Sequence, residues 1–149
     1  MKTVIFDLDG TLALIDKRRA LAAKPNGKID WSIFFDPKNI ELDEPNQAVI
    51  DTFNIMKYAG LHVGIFSGRD EVTYDKTLEW LAKYEIEPDF IKMRPKGSYT
   101  PDDVLKATWL EELMSDDVDV LCVYDDRDKV VNMWRQRGIA CFQVAPGNF

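Results

Sequence analysis

Val4-Ile5-Phe6-Asp7-Leu8-Asp9-Gly10-Thr11-Leu12 is the stretch on which the fold of this chain turns. An apolar run ends in two carboxylates one residue apart and then breaks on a glycine. In extended backbone the side chains alternate with a period of two, so Asp7 and Asp9 project to the same side. A buried parallel strand over residues 3–8 would carry both acids at its carboxyl end, where open α/β sheets bind ligands. Two such close anions repel unless a cation lies between them or one keeps its proton. The pair therefore points to a hard-metal site, to a nucleophile beside a proton donor, or to both.

Outward from this strand, the chain alternates. Residues 45–59 read as a helix, with Pro45 in its first turn, Val49, Phe53 and Met56 on one face, and Gly60 as its stop. A second strand over 61–66 ends at Ser67-Gly68-Arg69, and a second helix follows over 71–84. A third strand spans 89–93. The third helix opens at Thr100-Pro101-Asp102-Asp103, with Thr100 as cap and Pro101 in the first position. The most continuous buried strand, 118–124, closes on Asp125-Asp126-Arg127; a helix then runs to Gly138, and 139–144 forms the last strand. This alternation predicts an α/β, doubly wound parallel sheet. Residues 16–45 read as a polar, irregular insertion whose length marks it as functional or disordered. Trp31, Phe34 and Phe35 within it argue for partial order and core packing, with base stacking as the alternative use.

The chain has 149 residues, 46% hydrophobic and 30% charged, with four Trp and eight Phe to fill an interior. That is the size and composition of one globular domain spanning 1–149. No apolar run approaches the roughly 18 residues that cross a bilayer, and no signal-peptide pattern precedes the first strand, so a cytoplasmic protein without membrane contact is expected. Cys122 and Cys141 fall in apolar segments without metal-ligand spacing and read as reduced core residues. Lysine plus arginine total 19 against 26 acids, a net charge of −7, which argues against broad duplex binding. A nucleic-acid end entering a locally basic pocket remains compatible with it.

Asp7 and Asp9, Ser67, and Asp125 with Asp126 all fall at strand ends, and Lys106 lies near the start of a helix. Taken singly, Ser67 could cap a helix, Lys106 could be a solvated face residue with Lys92 and Lys96 as competing phosphate binders, and Asp125-Asp126 could be a helix N-terminal charge pair. Lone His62 reads as structural. In order, however, the set resembles the four motifs of haloacid dehalogenase-type phosphohydrolases: Asp7-Leu8-Asp9-Gly10-Thr11, then Ser67, Lys106 and Asp125-Asp126. Ser67-Gly68-Arg69, Asp125-Asp126-Arg127 and the ending Cys141-Phe142-Gln143-Val144-Ala145 further resemble the 3′-phosphatase domain of phage-type polynucleotide kinase/phosphatases. The similarity is weak over residues 16–45.

The resemblance implies phosphoryl transfer to Asp7, with Asp9 as acid and then base, and with Ser67, the amides near Gly10 and Thr11, and Lys106 holding the transferring oxygens. It implies Mg²⁺ held by Asp7, the Asp9 main-chain carbonyl, Asp125 and Asp126. For the substrate, a DNA or RNA 3′ end, it implies Arg69, Asp103 (or Asp102), and Arg18 or Arg19. No GxxxxGK[ST] stretch occurs, so the chain supplies only the phosphatase half of such an enzyme, with a separate kinase or ligase as a possible partner. Rival readings are a nucleotidase-like small-molecule phosphatase, a phospho-receiver domain and a catalytically silent binding module.

Overall fold

The computed structural model describes residues 1–149. Its main sheet has five parallel strands: β1 (Lys2–Phe6), β4 (His62–Asp70), β5 (Phe90–Arg94), β6 (Asp119–Asp125) and β7 (Cys141–Gln143), in the order β5-β4-β1-β6-β7. The α/β, doubly wound parallel architecture read from the sequence is the one found. Alternation along β1 sorts the core. Val4 and Phe6 face a cluster with Ile50 and Phe53 of α3 (Gln47–Tyr58) and Trp80 and Leu81 of α4 (Tyr74–Lys83). Ile5 faces the other layer, Leu105, Trp109 and Leu110 of α5 (Asp102–Ser115) with Val130, Val131 and Trp134 of α6 (Asp128–Gln136). Cys122 and Cys141 lie in these layers as buried free thiols, and burial, with Asp125 adding, pushes Cys141 up to about 12.

The strand order places the switch point between β1 and β6. From β1 the chain winds outward through β4 and β5, then returns to the other side for β6 and β7. The carboxyl ends of adjacent strands whose connections run in opposite directions leave a crevice there. Asp7 and Asp125 stand on its two lips, tied by the Asp7 amide donating to the Tyr124 carbonyl at 2.9 Å.

Three local expectations need correction. β4 does not stop at residue 66; it continues to Asp70 through a register break between Ser67 and Asp70, and such a bulge re-aims side chains. Thr100 does not cap α5: Pro101 occupies the cap position without a side-chain bond, and the Thr100 carbonyl and hydroxyl are taken by Arg94 and Ser98. Pro45 lies before α3, which begins at Gln47. Asn46 is spent holding the Asp7-to-Leu12 loop, its amide donating to the Leu12 carbonyl (2.9 Å) and Nδ2 to the Thr11 carbonyl (3.0 Å).

Residues 16–45 are not irregular. They hold α1 (Asp16–Ala22), α2 (Trp31–Phe34) and a 3-10 turn (Pro37–Leu42), and a ribbon of β2 (Ala13–Leu14) with β3 (Glu44–Pro45) closes the segment. Asp30 caps α2 by accepting from the Ser32 amide at 3.0 Å, and Asp36 caps the turn by accepting from Lys38 at 3.1 Å. No helix is long and apolar enough to cross a membrane.

Candidate active site

The Asp7-to-Leu12 loop turns back sharply at Gly10, whose φ of +82° lies in the region that favours glycine. A Cβ there would also overlap the Asp126 carboxylate, so the glycine lets the loop close over the second acid pair. Asp7, Asp125 and Asp126 are all buried and can bring one oxygen each within 4.8 Å of one another. Lys106, from the first turns of α5, reaches between them: Nζ lies 2.8 Å from Asp7 Oδ1 and 3.0 Å from Asp125 Oδ2. Thr11 Oγ1 donates to Asp7 Oδ2 at 3.1 Å. Asp126 is fixed through its backbone, its amide donating to Asp125 Oδ1 (2.9 Å) and its carbonyl accepting from Gln143 Nε2 (3.0 Å).

Burial, reinforced by Asp125 and only partly offset by Lys106, raises Asp7 well above the ordinary carboxylate value. Burial raises Asp126 as well. Burial alone would lower Lys106, but Asp125 and Asp7 outweigh it and hold the ammonium protonated. Three carboxylates thus share one cation. A hard cation bound by oxygens fits this donor set, because it would relieve the repulsion that lifts Asp7 and Asp126.

Asp9 lies apart from that cluster. Its Oδ1 accepts from Arg18 at 2.7 Å and from Arg69 Nε at 2.8 Å. Both guanidiniums continue to Asp43, Arg18 at 2.9 Å and Arg69 at 2.8 Å, and both are wholly buried. Burial would raise Asp9, but Arg18 and Arg69 together pull it below its ordinary value. The bulge in β4 is what turns Arg69 inward. Ser67, fully buried just before it, accepts the Arg69 amide at 3.1 Å and donates its hydroxyl to no protein group.

A cavity of about 1030 Å³ opens over these groups, with Asp7, Asp9, Lys106, Asp125 and Asp126 in its lining. The structure brings Asp7, Asp9, Lys106, Asp125 and Asp126 to one place, with Gly10 and Thr11 shaping it. Ser67, Arg18 and Arg69 are not among the cavity's lining residues; the two arginines act on Asp9 from behind. Asp103 does not line it either and turns toward Lys129, 3.3 Å away, whereas Asp102 lines the cavity between Arg94 and Arg127. Arg19, rather than Arg18, faces the opening. Lys92 pairs with Glu112, and His62 packs on the Phe90 ring at 5.3 Å. No motif marks Asp43 in the sequence, and only the position of its two arginine partners reveals it.

Fold and site together define a phosphatase of the haloacid dehalogenase class. Residues 1–149 match the family described as the polynucleotide kinase PNKP phosphatase domain, and the chain belongs to that family. It is 31% identical over 140 residues to a protein of Autographa californica nuclear polyhedrosis virus described as a bifunctional polynucleotide kinase/RNA ligase, covering 90% of this chain and 18% of that one. A chain in the solved Pnkp1/Rnl/Hen1 complex matches 99% of this chain and 47% of its own length, with 33% identity and a TM-score of 0.83. The class C acid phosphatase of Bacillus anthracis shares the fold at 15% identity, with a TM-score of 0.68 over 99% of this chain and 67% of its own. The chain therefore spans less than half the length of the first two relatives.

Proposed function

We propose that residues 1–149 form one Mg²⁺-dependent phosphomonoesterase domain that removes 3′-phosphates from nucleic-acid ends through an aspartyl-phosphate on Asp7. The observation that carries this reading is the buried set Asp7, Asp125 and Asp126 around one lysine at the switch point of the sheet. Family membership and the names of the larger relatives support the nucleic-acid end as substrate. Kinase and ligase activities acting alongside are proposed on the same ground.

Asp7, Asp125 and Asp126 would hold Mg²⁺, which when bound supplies charge neutralisation for an incoming phosphate. Lys106 contributes a positive charge beside Asp7 and Asp125, and the Ser67 hydroxyl has a hydrogen free to donate to a phosphoryl oxygen. An Asp7 oxygen attacks phosphorus as the bond to the nucleic-acid 3′-oxygen breaks. That oxygen leaves with a proton from Asp9. Asp9, now a carboxylate, takes a proton from water attacking the aspartyl-phosphate, which frees inorganic phosphate and restores Asp7.

The arginine pair keeps Asp9 ionised, which suits the second half of this sequence. For the first half, a phosphate dianion arriving beside Asp9 raises its proton affinity by like-charge repulsion. Arg18 and Arg69 are thus positioning residues that tune Asp9. Acid quenching of a single turnover on a substrate carrying a radiolabelled 3′-phosphate should trap a hydroxylamine-sensitive phosphoprotein that Asp7→Asn abolishes. Equal labelling, or full turnover, in Asp7→Asn would overturn the nucleophile.

A further inference from the structure

We infer that Arg19 forms a second phosphate subsite, taking the phosphodiester next to the terminal phosphate of a single-stranded substrate. This rests on the 3′-end reading and extends it to substrate length. Four cations line the cavity, namely Arg19, Arg94, Lys106 and Arg127. Three are committed within the protein. Lys106 holds Asp7 and Asp125. Arg94 holds Asp102 and the Gly68 carbonyl. Arg127 donates to Asp102 and to the Phe149 carbonyl, both at 2.9 Å.

Arg19 has neither an ion pair nor a side-chain hydrogen bond, in a chain with seven more acids than bases. Its guanidinium instead lies over the Phe149 ring, 4.5 Å from the centroid, which fixes the plane of the fork and leaves its N–H donors unused. Its neighbour Arg18 is anchored on Asp9, so α1 presents the two consecutive arginines to different tasks, one behind the catalytic acid and one in the opening. An arginine fork with free donors matches the two non-bridging oxygens of a phosphodiester.

Two further features of the cavity fit the same occupant. Its volume of about 1030 Å³ far exceeds what a lone phosphate fills. Trp31, 54% exposed and stacked on Phe35 at 5.6 Å, lines it and offers a face to a base.

The test uses a 3′-phosphorylated oligonucleotide and its twin with an uncharged methylphosphonate at the last internucleotide linkage. For the wild-type enzyme, kcat/KM should fall roughly 10-fold or more on the twin, the order of one charge-assisted contact. In Arg19→Gln the two substrates should become equal, and the salt slope on the charged one should flatten by about 0.7, the share of one single-strand phosphate. Wild-type enzyme indifferent to the methylphosphonate, or Arg19→Gln retaining the full ratio, would overturn the subsite while leaving the 3′-phosphatase reading intact. No phosphate released from either substrate by the wild-type enzyme would overturn both.

Discussion

Asp7 and Asp9 stand two residues apart in opposite electrostatic surroundings: burial and Asp125 lift the first, while two guanidiniums outweigh burial at the second. Groups whose environments part in this way divide acid, base and nucleophile roles between them. Because the folded value of Asp7 lies above its ordinary 3.8, its ionisation opposes folding. The penalty is absent below 3.8, grows as the pH rises toward the folded value, and is constant above it. In chelator, melting temperature should therefore rise as the pH is lowered from neutrality toward that range. The rise should be smaller in Asp7→Asn and flattened by Mg²⁺; identical pH slopes in wild type and variant would contradict the cluster's electrostatics. Asp9→Asn should cost about 10²–10⁴-fold on an alkyl phosphomonoester, the usual worth of general acid–base catalysis, and much less on nitrophenyl phosphate. Equal losses on the two leaving groups would remove Asp9 from the acid role.

At the scale of elements, the segment between α1 and α3 is held to the site by Asp43, whose carboxylate takes both arginines and whose carbonyl accepts from Trp80 Nε1 at 3.0 Å. Asp43→Ala would strand two buried guanidiniums on one shared carboxylate. Breaking a buried ion-pair network of this kind costs about 3–5 kcal/mol, a fall of roughly 6–20 °C for a domain of this size. An unchanged melt would show that the network carries no structural weight. Gly10→Ala should abolish phosphate release with only modest loss of stability, since it forces an alanine to positive φ and drives a methyl into Asp126. Activity retained in that variant would mean the loop closes over Asp126 less tightly than its geometry implies.

The same segment shows where reading the sequence ran out. Strands and long helices carry apolar periods that announce them, and the acids at the ends of β1 and β6 follow once the strands are placed. Helices of seven and four residues carry no usable period, so α1 and α2 were invisible. Arg18 and Arg19 are chemically alike and adjacent; only the fold decides that one is buried on Asp9 and the other faces the cavity. Asp102 and Asp103 are parted likewise: the first lines the cavity, the second turns toward Lys129.

For the whole molecule the net charge is −7, and the cavity is itself lined by seven aspartates and four cations, of which Arg19 alone has no carboxylate partner. Such a protein should engage the end of an anionic strand locally and bind the body of a duplex poorly. The most direct measurement is Mg²⁺-dependent phosphate release from a 3′-phosphorylated oligonucleotide, its 5′-phosphorylated twin and free nucleoside monophosphates. Strong preference for the 3′-phosphorylated oligonucleotide, lost on chelation, is the expected result. Equal or faster hydrolysis of the free nucleotides would contradict the nucleic-acid end as substrate and leave a nucleotidase in its place.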